Sequence, residues 1–372
     1  MNTRTRESIR YAVVGCGMMG QEHLRNLALL RTRRGWDLSI SALVEPDSQM
    51  LDSTLALLAE LELGQPKVLA SHLDISAELC DVVLLVSPNF THYDLLKDLL
   101  HLDVAILAEK PLCVTVAQCQ EIERLCQDKS NPVWVAMEYR YMPPTRRFIE
   151  EIENGFVGQL RSLSIREHRF PFLSKVGDWN RFSRNTGGTL VEKCCHHFDL
   201  MRLIIGCEAV RVYASGAMDV NHLDEQYDGE VPDILDNAMV LVDFENGVRA
   251  SLDLCMFADG SNPQEQLTAI GDRAKLQANI PGAGRFWKGQ ESPATLQFQP
   301  RNRELRQEVV EVDEALALAG DHHGSTYYQH EKFAQAVLHG AEVEVKVSDG
   351  AKAVQLGAAA QQSLTTGQVV LL

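Results

Sequence analysis

The sequence predicts an α/β protein whose first third is a doubly wound parallel sheet, and two observations carry that prediction. Short apolar runs at Ile9–Val14, Leu38–Val44, Val82–Val86, Val104–Ala108 and Val133–Met137 alternate with helical stretches such as Thr91–Leu102 and Val116–Asp128. That succession of βαβ units builds a parallel sheet with helices on both faces. The first run ends in Gly15-Cys16-Gly17-Met18-Met19-Gly20, and a helical pattern through Leu24, Leu27 and Leu30 continues to Gly35. A GxGxxG between a strand and a helix has a meaning that the motif alone lacks.

In that context each position has a task. Gly15 permits the tight turn, Gly17 lets the backbone approach a pyrophosphate, and Gly20 lets the helix pack on the sheet. The helix start at Met18 and Met19 offers N–H groups and a positive dipole end to the phosphates. Glu45 closes the second strand, where a carboxylate can accept both ribose hydroxyls and repels a 2′-phosphate, and no arginine directly follows it. NAD is therefore expected in preference to NADP. A solvated strand-end acid is the competing reading of Glu45.

Composition sets the outer limits. A chain of 372 residues suits two domains. Its 45% hydrophobic and 23% charged residues are those of an ordinary globular protein. The net charge of −16 repels phosphate backbones, so no nucleic-acid partner is expected. Arg31, Arg33 and Arg34 suit the end of a helix. No window approaches the roughly 20 apolar residues of a membrane span, and Met1–Arg10 lacks the apolar region of a signal peptide. No membrane partner and a cytoplasmic address are expected. The nine cysteines form no CxxC pair and read as free thiols in a reducing compartment. Cys194-Cys195-His196-His197 would point around a helix rather than at one ion, so no metal is expected.

The second half carries further strand signals. Ala238–Phe244 and Val248–Leu254 flank Glu245-Asn246-Gly247, and Asn-Gly is a strong hairpin turn. Leu160–Arg169, Ala209–Ala217, Glu265–Ile270 and Leu305–Val312 add strand-like runs.

Three motifs sharpen the picture: Ser87-Pro88-Asn89-Phe90-Thr91-His92, Glu109-Lys110-Pro111, and Gly187-Gly188 followed by Glu192, His196 and Asp199. Their order, with Glu331 and Phe333 on a late helix and the terminal Gly367-Gln368-Val369-Val370, resembles the glucose–fructose oxidoreductase, inositol dehydrogenase and MocA (Gfo/Idh/MocA) family over nearly the whole chain. The resemblance implies a Rossmann domain over residues 1–140. It also implies an α+β domain over 141–372 for substrate binding and oligomerisation, built on a large, mostly antiparallel open sheet that pairs in homodimers or homotetramers. It further implies that Ser87, Asn89, His92, Glu109 and Lys110 meet the cofactor. Lys110, Glu192 and His196 would be catalytic, with Arg140, Trp179 and Asp199 beside the substrate.

The residue chemistry agrees in outline. Lys110 follows a strand whose carboxyl end should face the cofactor crevice. Taking hydride from a carbinol requires its hydroxyl proton to leave, and a lysine there can take or share it. Glu192 and His196 stand four apart on a predicted helix, hence on one face, and an imidazole is suited to relaying that proton. The family usually has aspartate where Glu192 stands, and Lys193 is also less usual. A satisfied interior histidine is the plainer reading for His197 and the competing one for His196. Arg140 can bind substrate or form an interdomain salt bridge, Asp199 can contact substrate or hold its helix, and Trp179 can wall a sugar site or fill a core. The acidic loop Asp219–Asp236 and the pair His322-His323 have no assignment.

The expected function is NAD-dependent hydride transfer to or from a secondary alcohol of a polyol, inositol or sugar-like substrate. The alternatives are glycoside cleavage through transient oxidation, or a catalytically silent NAD-sensing regulator.

Overall fold

The computed structural model describes residues 8–282 and 292–372, so most of the stretch read for a signal peptide lies outside the described residues. The chain forms two compact units. The first comprises the residues up to Glu138 with Glu314–Gly320 and Gly324–Ala351; the second comprises Tyr139–Asp313, Asp321–His323 and Lys352–Leu372.

The first unit is built on six parallel strands: β1 (Ser8–Val14), β2 (Asp37–Val44), β3 (Lys67–Leu69), β4 (Val82–Leu85), β5 (Ala105–Ala108) and β6 (Val133–Val135). Their order is β3-β2-β1-β4-β5-β6. Between them run α1 (Met18–Arg34), α2 (Ser48–Glu60), α3 (His92–Leu99) and α4 (Val116–Leu125). Every residue of β4 and β5 is buried, which is why they read as continuous apolar runs rather than alternating ones. The order reverses between β1 and β4, and ligands bind outside the carboxyl ends of strands at such a switch point.

The second unit has α5 (Pro143–Glu153), α6 (Ser183–Thr186), α7 (Thr189–Glu192) and α8 (Cys195–Ile205). Its sheet contains β7 (Leu160–His168), β8 (Ala209–Ala217), β9 (Asn237–Phe244), β10 (Arg249–Cys255), β11 (Glu265–Gly271), β12 (Ala274–Ile280), β13 (Ala294–Pro300), β14 (Arg306–Val310) and β15 (Val370–Leu371). The nine strands run β14-β13-β12-β11-β7-β10-β9-β8-β15, antiparallel except for β7 beside β10. The Asn-Gly hairpin joins β9 and β10, with Arg249 opposite Asp243 and Gly247 at φ 80°. Leu163 and Ile165 of β7, Val240 and Val242 of β9, and Leu252 and Leu254 of β10 are buried on one face. Each such side chain contributes roughly 1.5–3 kcal/mol.

Three helices close the chain: α9 (Glu314–Ala319), α10 (Ser325–His339) and α11 (Val347–Thr366). α9 and α10 pack on α1. The helix expected to carry Glu192 and His196 without interruption is divided instead. The turn widens where the Cys194 N–H reaches back to the Thr189 carbonyl (3.4 Å), and α8 starts afresh at Cys195. No helix among the described residues is long and apolar enough to cross a membrane, and all nine cysteines are free.

Candidate functional site

In the first unit the glycine turn lies at the end of β1. Gly15 has φ +98°, and a Cβ there would stand 2.7 Å from the backbone of Val86 and Ser87. A Cβ on Gly20 would meet the Gly15 carbonyl at 2.6 Å. Both positions require glycine for contacts within the fold. Gly17 differs: nothing lies within 4 Å of its would-be Cβ, so its openness faces outward. α1 begins there with no side-chain cap and no acidic residue in its first turn. Free N–H groups beside an open backbone fit a pyrophosphate.

The neighbouring strand ends supply the rest. Glu45 follows β2, and its carboxylate accepts from the Cys16 N–H (2.6 Å) and the Asp47 N–H (2.9 Å). It is thereby fixed beside the glycine turn. Burial, then the nearby Glu45 charge, pushes the Cys16 thiol up to about 12. After β4, the Ser87 and Thr91 hydroxyls are 2.7 Å apart and Asn89 is buried. His92 is fully buried, with Nδ1 2.9 Å from the Pro111 carbonyl and Nε2 3.0 Å from the Ser87 carbonyl. Both ring nitrogens are thus turned to backbone, where they brace the Ser87 loop against the Lys110-Pro111 turn. After β5, Glu109 is buried and accepts from the Lys110 N–H (3.1 Å).

In the second unit Arg140 and Asp199 meet each other. The guanidinium donates from Nε to Oδ2 (2.6 Å) and from Nη2 to Oδ1 (2.5 Å), with side-chain exposures of 8% and 1%. Exposures that low make this a built-in clamp rather than a surface pair. His196 is buried and stacks on Tyr139, ring centroids 4.0 Å apart and planes within 3°. His197 is fully buried, with Nε2 3.0 Å from Glu167 Oε2, and burial lowers its pKa. The Cys195 thiol turns to the Glu192 carbonyl (3.3 Å), so Cys195, His196 and His197 each face a different partner. Glu192 is buried on the other side of the helix break from His196. Trp179 is half-buried, and its carbonyl accepts from Asn185 Nδ2 (2.9 Å).

A model of the oxidoreductase family's NAD-binding Rossmann fold (GFO_IDH_MocA) matches residues 9–137, and one of the family's C-terminal alpha/beta domain matches residues 149–372. The chain belongs to the Gfo/Idh/MocA oxidoreductase family. Among curated relatives, the uncharacterized oxidoreductase YrbE of Bacillus subtilis is 23% identical over 365 residues, 96% of this chain and 95% of its own length. The myo-inositol 2-dehydrogenase of Thermotoga maritima is 26% identical over 251 residues, 66% of this chain and 68% of its own. Among solved structures, a levoglucosan dehydrogenase in complex with NADH and levoglucosan aligns with TM-score 0.80 at 18% identity, covering 98% of this chain and 99% of that one. At that identity the likeness speaks for the fold alone.

Around the histidines, this member of the Gfo/Idh/MocA family gives Lys193, noted as unusual without a role, buried charged partners that sequence reasoning passed over. Lys193 is buried, donates to Tyr139 Oη (2.5 Å) and lies 3.0 Å from Glu167 Oε1. Glu167 on β7 stands opposite Glu265 on β11, and both are buried. Burial raises the Glu167 carboxyl, but Lys193, Arg169 and His197 outweigh it and hold the group well below its ordinary range. Burial, then the Glu167 charge, pushes Glu265 from 4.5 up to about 7. A signal did exist: Glu167 continues the inward register of Leu163 and Ile165, where an apolar residue is expected.

Glu265 has a consequence for stability. Between pH 4.5 and 7 it stays protonated in the folded chain and ionises in the unfolded one, so its contribution is lost as pH rises through that window. The loss amounts to about 3 kcal/mol. Glu265→Gln mimics the neutral acid, so the variant should match the parent near pH 4.5 and exceed it in stability by about that amount near pH 8. Urea unfolding across this range checks it, and parallel stability–pH curves would reject it.

The acidic loop also finds a place. Asp236 accepts from the N–H groups of Asp219, Val220 and Asn221 (2.7–3.0 Å). Glu225 accepts from Arg181 Nε and Tyr227 Oη, both at 2.8 Å. Arg181 follows Trp179 by two residues, so the loop latches the segment that presents the tryptophan.

Proposed function

We propose that this protein is an NAD-dependent dehydrogenase that moves hydride between nicotinamide and a secondary alcohol of a polyol, inositol or sugar-like substrate. The supporting observation is the gathering, at the carboxyl ends of β1, β2, β4 and β5, of the open glycine turn, Glu45, the Ser87–His92 loop and the Glu109-Lys110 pair. Residues 1–140 hold the cofactor in this reading, and residues 141–372 supply substrate recognition and assembly. Gly15, Gly17, Met18, Met19 and Gly20 receive the pyrophosphate, Glu45 the ribose, and Ser87, Asn89 and Glu109 border the nicotinamide half. The bound cofactor supplies the hydride acceptor. Lys110 orients the carbinol oxygen and takes its proton, while His196, its plane held by Tyr139, and Glu192 pass that proton on. An NAD reduction screen over inositols, sugars and sugar acids tests the reading. No reduction with any of these classes would reject it.

Cofactor choice follows from Glu45. NAD should bind more tightly than NADP, and Glu45→Ala should narrow the ratio while weakening both, since it also releases the Cys16 N–H. Titration of each cofactor against both proteins decides it, and equal affinities in the parent would remove the ribose role.

The outer sheet face supports a homodimer or homotetramer. Tyr213, Leu241 and Met239 are 41%, 59% and 66% exposed, and Tyr213 stands opposite Leu241 across β8 and β9. Neighbouring apolar side chains this exposed mark an association surface. Light scattering on dilution should keep an oligomer at micromolar concentration; a monomer there would refute it.

A further inference from the structure

Behind the lysine turn, the first unit holds two buried histidines, linked to Glu109, that the reaction proposed above leaves unused. His330 Nε2 of α10 lies 2.7 Å from His23 Nδ1 of α1, and His23 Nε2 lies 2.9 Å from Glu109 Oε1. The second Glu109 oxygen accepts the Lys110 N–H at 3.1 Å. Both histidines are fully buried. One turn before His330, the Thr326 hydroxyl lies 2.9 Å from Glu22 Oε1, so two successive residues of α1 are gripped by an i, i+4 pair on α10.

The protonation pattern gives the chain a direction. Burial works against charge on His23, but the hydrogen bond and charge of Glu109, with Glu138 and Glu22, raise its pKa. Burial drives His330 far down, reinforced by His23. Glu109 thus favours a proton on His23 Nε2, which donates to the carboxylate, while His23 Nδ1 shares its hydrogen bond with a histidine kept neutral by burial. A carboxylate held this way has little freedom, and the Lys110 backbone is tied to it.

We propose that His23 and His330 are positioning residues that act through Glu109 to fix the root of Lys110. The proposal rests on the role given to Lys110. A displacement of about 1 Å at a reacting group can cost 10²-fold in rate, whereas the glycine turn that receives the cofactor is held by other contacts.

The test uses the full-length protein. In His23→Leu, which removes the donor to Glu109, amide exchange at Lys110 should quicken at least tenfold while helix α4 keeps its protection. With NAD and the best alcohol of the screen, kcat should fall roughly 10–100-fold, with KM and NAD affinity within about twofold of the parent. His330→Leu should behave likewise, and His330→Gln, whose amide can share the same hydrogen bond with His23, should recover most of the rate. In a Lys110→Ala background His23→Leu should cost less than about threefold more, as expected of groups acting as a unit. Unchanged Lys110 exchange, or a His23→Leu loss of full size in that background, would overturn the positioning role alone. Near-normal turnover in Lys110→Ala itself would overturn the lysine reading and this proposal with it.

Discussion

Replacing Lys110 or His196 with alanine is expected to lower turnover by roughly 10²–10⁴, the usual value of a positioned acid or base. NAD affinity should change little in either variant, because the proposed reading seats the phosphates on the glycine turn and α1. The expectation starts from their different origins: Lys110 follows a strand of the parallel sheet, and His196 lies on the first turn of α8 with its ring stacked on Tyr139. Chemistry shared by two such residues should give losses that are strongly non-additive in the double variant. Steady-state kinetics with the best alcohol of the screen, paired with NAD titrations, read both quantities. Near-normal turnover in either variant would remove that residue from the proton path. Loss of NAD binding in both would make them cofactor contacts or structural residues.

The largest effect on stability is expected at Asp199. Its two carboxylate oxygens hold two guanidinium nitrogens of Arg140 in a site almost closed to solvent. Breaking a buried pair by removing one partner costs about 3–5 kcal/mol, because the remaining charge stays where it is poorly solvated. Asp199→Ala should lose that much in urea unfolding, and Arg140→Met combined with Asp199→Leu should recover most of it. A variant that keeps its stability but raises the KM for the alcohol would return Asp199 to the substrate. The pair ties α8 to the start of the second unit and so bears on where His196 stands.

Much of the first unit was legible because its signals are local. A glycine turn between strand and helix, a carboxylate at the next strand end and runs of four or more wholly apolar residues each depend on neighbours within a few positions. β3 was missed since three residues, two of them exposed, show no period. β12 and β13 went unread although their apolar residues alternate, because the stretch between them, opened by Pro281-Gly282, is much longer than a hairpin turn such as Asn246-Gly247. His92 could be placed in its loop, but not its two carbonyl partners, one of which lies 19 residues away.

The sequence by itself determined the family, the parallel sheet with its glycine turn and the Asn-Gly hairpin. These follow from short-range backbone requirements and from the periods of strands and helices. Only the tertiary structure decided how the charges are spent: Arg140 on Asp199, Lys193 between Tyr139 and Glu167, Glu265 beside Glu167, and His23 between Glu109 and a histidine 307 residues away. A buried charge must find its counterpart wherever the fold brings one, because leaving it alone costs more than any local preference can offset. Sequence spacing carries no record of that choice.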